Sequence, residues 1–273
     1  MDHGALGFRP TANARMVSLF EAAALSVGDR VRTGRYQVQA RFERSVLLFH
    51  STGRPLFVVR PEIGDGPLNV VLPHPEQFGE ELLIPRKTTV RRYMSAMPEP
   101  EDIPQTKLLH FLATPLEEGA PPDSLISLYR PCMQPSSPAQ KNRDRLFFQA
   151  CAHFAREEWC SGATLVRGSG SGLTPSGDDF LCGLLLAMRI HRKWGIQRLH
   201  YASKGGNAIS NAFLDMAAQG RVHRGLQLFL RQPSIGGLRD ILAFGHTSGA
   251  DLLCGLRWGL ERWRNVPGRR SSG

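Results

Sequence analysis

Two short stretches of the chain bring together residue types that handle small anions. The first reads Arg167-Gly168-Ser169-Gly170-Ser171-Gly172-Leu173-Thr174-Pro175-Ser176-Gly177-Asp178-Asp179 and runs straight into the apolar segment Phe180–Met188. Alternating glycines free a backbone to take positive φ, so that its N–H groups can turn toward one guest. Thr174, Ser176 and Asp178 are each able to cap a helix, and Pro175 suits a first helical position. A helix start carries unpaired N–H donors and about half a positive elementary charge, which favours phosphate or carboxylate. Gly170, Gly172, Thr174, Ser176 and Gly177 are therefore candidate binding residues. The ordinary alternative is a tight connection before a capped helix.

The second stretch repeats the first. Seventy-two residues on, Ser176-Gly177-x-Asp179-x-Leu181-Cys182-Gly183-Leu184 recurs as Ser248-Gly249-x-Asp251-x-Leu253-Cys254-Gly255-Leu256, preceded by Gly245-His246-Thr247. Two related helices whose starts lie close together would account for it, with Thr247, Ser248, Gly249 and Asp251 joining the binding set. Asp179 and Asp251 recur, which fits a shared structural duty such as capping. Asp178 faces Ala250 in the repeat and is freer for a unique role. Adjacent helical side chains diverge by about 100°, so Asp178 and Asp179 cannot address one small substrate equally. His246 stands where the first copy has Thr174, and its imidazole can act as an acid or a hydrogen-bond donor, or serve structurally. With Asp178 and Asp179 it completes the candidate catalytic set. Arg167 can fork onto a carboxylate or phosphate, or make a plain surface ion pair. No cofactor is called for with certainty; Mg²⁺ on Asp178, Asp179 and Asp251 is the metal reading that carboxylates allow. No Gly-Lys-Ser/Thr follows the glycines, so the loop is not a Walker motif.

The pairing of Gly170–Asp179 with Gly245–Asp251, together with Ser210-Asn211-Ala212-Phe213-Leu214 through Ala217-Ala218-Gln219-Gly220, resembles the AllH-like family over about residues 142–262. That family is named for a subunit of the oxamate carbamoyltransferase of anaerobic allantoin breakdown. The resemblance implies carbamoyl transfer between oxalurate and phosphate, giving oxamate and carbamoyl phosphate, and a hetero-oligomer with other subunit kinds. Ser171 stands where the family commonly has proline. Two readings of other classes stay open beside it: a stand-alone Mg²⁺-dependent phosphotransferase or hydrolase, and a noncatalytic assembly subunit.

The rest of the chain must position these stretches. With 273 residues, 41% of them apolar and 21% charged, the composition is that of an ordinary globular protein. The formal charge of +10 invites anionic partners, but much of it is scattered or lies in the tail Arg262–Arg270, and no nucleic-acid-binding pattern accompanies it. A small anionic substrate, and neither nucleic acid nor membrane, is the expected partner. The five cysteines are odd in number and lack metal-knuckle spacing; Cys182 and Cys254 read as small core residues. There is no signal-peptide pattern and no apolar run of about 20 residues, so a cytoplasmic location is expected.

The expected fold class is α+β. A leading helix over 12–27 is followed by alternating or short apolar runs at 35–42, 45–50, 56–60 and 68–72, which predict a small antiparallel sheet or barrel and a β-rich lobe over 1–97. Residues 98–138 hold nine of the nineteen prolines, and 98–141 reads as a connecting segment. Helices are expected at about 142–159, 177–192, 203–219, 221–231 and 248–264, within a helical lobe over 142–264, and 265–273 is a basic tail. The helices after each motif are apolar on nearly every face, which places them centrally. Gly183 and Gly255 recur inside them at a cost of about 1 kcal/mol each against alanine, which close helix–helix approach would offset.

Overall fold

In the computed structural model, residues 20, 23–77, 79–130, 137–205 and 207–264 are described. The chain forms two compact units, residues 1–95 and 96–273. The first is built on a curled sheet of seven strands in the order β6-β2-β3-β4-β5-β1-β7. Its strands are β1 (Ser26–Gly28), β2 (Gly34–Arg41), β3 (Ser45–His50), β4 (Pro55–Val59), β5 (Asn69–Val71), β6 (Glu81–Ile84) and β7 (Arg92–Tyr93). In β2 the alternation places Tyr36 inward while Arg35 and Gln37 face out, the period-2 pattern of a strand with one buried face. Val46, Leu48, Leu56, Val58 and Val70 of the following strands complete an apolar core.

Two expectations need correction here. The sheet is mixed rather than antiparallel, since β4 pairs β5 and β1 pairs β7 in parallel. The leading helix also stops earlier than expected: Phe20 and Ala23 are helical, but Ser26–Gly28 is a strand paired into the sheet. Most of the expected leading helix, Cys132, and residues 265–273 of the basic tail lie outside the described residues.

The second unit is helical, so the α+β class holds for the chain. It comprises α1 (Gln105–Leu112), α2 (Thr114–Gly119), a 3-10 helix at Leu125–Tyr129, α3 (Pro138–Ala155), α4 (Trp159–Val166), α5 (Ser176–Ile190), α6 (Ile196–Ser203), α7 (Ala208–Ala218), α8 (Arg224–Arg231), α9 (Ile235–Leu242) and α10 (Ser248–Trp263). Leu108, Leu112, Leu116, Leu125 and Ile126, from the proline-rich stretch, are fully buried in the core of this unit. The helix expected to end near 159 is α3, closed at 155. Glu157 then takes φ 61°, a left-handed turn that starts α4 on a new axis. The helix expected over 203–219 is α7, which starts only at Ala208 behind its Asn207 cap, and the separate helix α6 precedes it.

At the centre lies α5, of which every residue but Arg189 is buried. It packs along α10 at a backbone-to-backbone crossing. A Cβ added to Gly183 would fall on the Leu252 carbonyl oxygen, and one added to Gly255 on the Phe180 carbonyl oxygen, in both cases far inside van der Waals contact. The close approach expected from the recurring glycines is what the helices show, and their propensity cost is offset by contact no larger residue permits.

Gly255→Ala should therefore destabilise the protein by roughly 2–3 kcal/mol, although alanine is the better helix former. Gly236, in the exposed first turn of α9 with open space around it, is the control. Its alanine variant should change stability by less than about 1 kcal/mol, and in the favourable direction. Urea unfolding of both variants checks the contrast; equal losses would mean the crossing is looser than described.

Candidate functional site

The crossing brings the two helix starts together. Thr174 Oγ1 and Ser248 Oγ are 2.9 Å apart, one hydroxyl from each copy of the motif. The copies also exchange partners. Hydrogen bonding from Ser248 reaches the Asp179 carboxyl, and hydrogen bonding from Ser176 reaches the Asp251 carboxyl. Each helix thus offers its first serine to the aspartate one turn into the other. The equivalence extends to the approach segments. A Cβ on Gly177 would strike the Val166 carbonyl at the end of α4, and one on Gly249 would strike the Ile241 carbonyl near the end of α9.

Neither start is capped by its own side chain, contrary to the capping expected of Thr174, Ser176 or Asp178. The cap of α5 is Pro175, one position earlier than expected for it; its backbone is extended as a cap's is (φ −59°, ψ 146°), but its ring has no acceptor to offer the first turn. Thr247 occupies the cap of α10 with no side-chain cap bond. The carbonyls of Ser169 and Phe244 accept from Gly177 and Gly249 instead, at 2.9 and 3.2 Å.

The glycine loop arches over the start of α5. Gly168, Gly170 and Gly172 all take positive φ, at 67°, 118° and 97°. A Cβ at Gly170 would lie 2.7 Å from the Ser176 amide nitrogen, so the loop passes directly across the helix end. Among the described residues, the amides of Gly170, Ser171, Gly172 and Ser176 bond to no other group. Residues 170–173 are exposed. These are unspent donors on a positively polarised helix end.

The aspartates divide their duties. Asp178 turns back and accepts from the Gly168 amide at 2.7 Å, tying down the leading end of the loop. Asp179 lies buried between the helices, and one of its carboxyl oxygens has no partner among the described residues. Burial pushes its pKa well above the usual carboxylate range, helped by the nearby Asp251 and Asp178 and opposed by hydrogen bonds from Ser248 and Thr174. Asp251 is raised too, again by burial first, although it accepts from the Leu125 amide at 2.7 Å and is favoured by Ser176, Thr247 and the charge of Arg143. Asp178, Asp179 and Asp251 do not form a ligand set. Among the described residues no group of three or more His, Cys, Asp or Glu side chains is placed to hold a metal ion.

His246 is exposed beside the second start, with Nε2 2.8 Å from Asp123 Oδ2. Arg167 points elsewhere: Nη1 donates to the carbonyls of Ala202 and Lys204 at the end of α6, both at 3.2 Å. Cys182 and Cys254 are buried in α5 and α10, and burial raises both thiols well above their usual range.

Several residues at the site were not singled out from the sequence. Ser124 caps the 3-10 helix whose first amide, that of Leu125, meets Asp251. Arg143 donates to the carbonyls of Asp123 and Ser124 from α3, holding that turn in place. Asn207 caps α7 and donates to the Leu173 carbonyl of the glycine loop. The asparagine before the apolar Ile209 is a helix-start signal that could have marked it.

Residues 166–260 match the family model described as oxamate carbamoyltransferase subunit AllH. Over this stretch the chain is AllH-like. The AllH-like stretch begins at the last residue of α4 and ends near the end of α10, so it contains both helix starts, the glycine loop and α7. No solved structure matches the chain. Among the described residues no helix is long and apolar enough to cross a membrane.

The sign of the Asp179 shift yields a test. Its folded-state pKa exceeds its unfolded one, so its contribution to stability is complete below the unfolded value, near 3.9, and is lost as pH rises through the folded value. Asparagine imitates the protonated acid. Asp179→Asn should therefore melt higher than the wild type at pH 7.5, by on the order of a few degrees, with the gap closing toward pH 4. Thermal unfolding across pH 4–8 measures it; a gap that widens toward acid would mean that Asp179 is ionised in the fold.

Proposed function

We propose that this chain is a subunit of a carbamoyltransferase, and that its share of the chemistry is a small-anion site at the two helix starts. The observation that carries the reading is the 2.9 Å approach of Thr174 to Ser248 beneath a loop whose amides are uncommitted. The family match supports the reaction class, and its description as a subunit supports assembly with other chains. In the reaction we propose, a phosphate oxygen attacks the carbamoyl carbon of oxalurate. The bond from that carbon to nitrogen breaks, and the proton of the phosphate ends on the nitrogen of departing oxamate. Carbamoyl phosphate is the second product.

Such a transfer needs a held phosphate, a polarised carbonyl and a stabilised oxyanion at the tetrahedral stage. We assign the phosphate to the amides of Gly170, Ser171, Gly172 and Ser176, reinforced by the α5 dipole. With Asp179 and Asp251 protonated, the direction in which burial pushes both, the hydroxyls of Thr174, Ser176, Thr247 and Ser248 need not donate to those carboxyls, and each can turn its one proton to developing charge. Gly177 and Gly249 let each helix start tuck against the preceding helix. Asp179 and Asp251 support the arrangement by accepting across the pair. His246, with Asp123 on its Nε2, is our candidate for moving the proton to the leaving nitrogen. Arg167 is assigned to the α6 end rather than to the substrate.

Calorimetric titration of the purified chain with phosphate, carbamoyl phosphate and oxamate tests the site. At least one should bind, and Gly170→Val should weaken it by tenfold or more, because valine at φ 118° is strained and its Cβ presses on the Ser176 amide. Absence of binding, or equal binding by the variant, ends the anion-site reading. The word "subunit" in the family description favours a second reading, in which the chain only assembles a complex. Under it, loop substitutions impair complex formation and leave anion affinity unchanged.

A further inference from the structure

The glycine loop is held at its leading end by bonds of the motif itself and at its trailing end by a residue outside it. At its leading end the Asp178 carboxylate accepts from the Gly168 amide at 2.7 Å. At its trailing end the Leu173 carbonyl accepts from Asn207 Nδ2, also at 2.7 Å, across 34 residues of sequence. Ser169 belongs to the leading end too, its carbonyl accepting from the Gly177 amide at 2.9 Å; beyond it lie Gly170–Gly172, whose amides are bonded to nothing among the described residues. Glycines at positive φ leave such a span free to take many shapes, so its conformation rests on its two ends.

Asn207 is itself fixed. Its Oδ1 accepts from the amides of Ile209 and Ser210, at 2.8 and 3.0 Å, as the cap of α7. The cap uses the oxygen of the side-chain amide and thereby fixes which face of that amide carries the nitrogen. The nitrogen then points at Leu173. One planar group therefore joins the start of a third helix to the loop that arches over the start of α5. Aspartate and serine would cap α7 about as well, because capping requires only an acceptor. Neither would hold the loop: a carboxylate has no N–H to donate, and a serine hydroxyl on a shorter side chain lacks the reach of the amide nitrogen. Asparagine is the residue that does both.

We propose that Asn207 is a positioning residue, clamping the trailing end of the glycine loop so that the amides of residues 170–172 keep one direction. The clamp stands on geometry alone; its service to ligand binding rests on the anion-site reading above.

The test uses the full chain with Asn207→Ser and Asn207→Asp. Backbone NMR order parameters at residues 170–173 should fall to those of a flexible loop, below about 0.6, in both variants, while those of α7 and the melting temperature stay near wild type, because both variants retain the cap. Inorganic phosphate should bind Asn207→Ser about tenfold more weakly, the cost of ordering the loop at binding. Unchanged order parameters at 170–173 overturn the clamp. So does a fall spread evenly through α7, which would make Asn207 a cap and nothing more. Should wild-type chain bind no phosphate, the anion-site reading fails, and the order parameters at 170–173 still decide the clamp. A more mobile loop with unaltered phosphate affinity overturns the clamp's role in binding.

Discussion

The second unit depends on one steric fact: α5 and α10 touch backbone to backbone at Gly183 and Gly255. Each glycine lies seven residues past the serine that begins its helix, Ser176 in one case and Ser248 in the other. At 1.5 Å per residue both starts lie about 10 Å from the crossing. Equal lever arms on the same side bring the starts to the same place, and the Thr174–Ser248 contact is the result. The exchanged Ser–Asp pairs follow from the same registry, because an aspartate one turn in faces the neighbour when the crossing is two turns in. Larger residues at the crossing would part the helices, and every polar contact at their ends depends on their staying together.

The duplicated frame is put to unequal use. The second helix is covered one turn in: the 3-10 helix at Leu125–Tyr129 delivers its first amide to Asp251, and Tyr129 donates to the Cys254 carbonyl. Arg257 in turn stacks over the Tyr129 ring at 4.0 Å. Asp251 has no exposed surface at all. The first start has an exposed loop instead, anchored at its two ends by the side chains of Asp178 and Asn207. A symmetric pair of helix ends would offer two equivalent half-sites. Only the first start carries a loop of uncommitted amides, while the aspartate of the second is already engaged by a backbone amide, and this asymmetry is the physical reason to look for a phosphate on the glycine-loop side.

Much of this was legible in the sequence because it rests on local pattern. The alternation of β2, the repeated Ser-Gly-x-Asp starts and the paired interior glycines each reflect a period or a spacing that tertiary context did not override. What was hidden depends on distant partners. Nothing near Arg167 shows that its guanidinium will meet the carbonyls of Ala202 and Lys204. The left-handed turn at Glu157, which separates α3 from α4, uses a residue without a strong left-handed preference. The prolines of 98–138 likewise mask Leu108, Leu112 and Leu116, whose burial is set by α9 and α10 far along the chain. Pro175 stands one position before its expected place, because proline fits a cap as readily as a first turn when a distant carbonyl, that of Ser169, takes the Gly177 amide.

The charge balance at the helix ends sets a condition on any anionic ligand. Two carboxylates held ionised beside the starts would cancel the positive ends of both helix dipoles, each worth only about half a charge. Burial works against that cancellation, since it raises the pKa of Asp179 and of Asp251 and so favours their neutral forms. A neutral carboxyl carries a proton to donate as well as oxygens that accept, so the same burial that disfavours two negative charges lets each carboxyl bond to a neighbouring hydroxyl in either direction. The depth of the aspartates is in turn set by the glycine crossing, which closes the space around them to solvent. Packing at Gly183 and Gly255 thus governs electrostatics two turns away, and the open, double-anchored loop is left as the face on which the remaining positive polarity can be used.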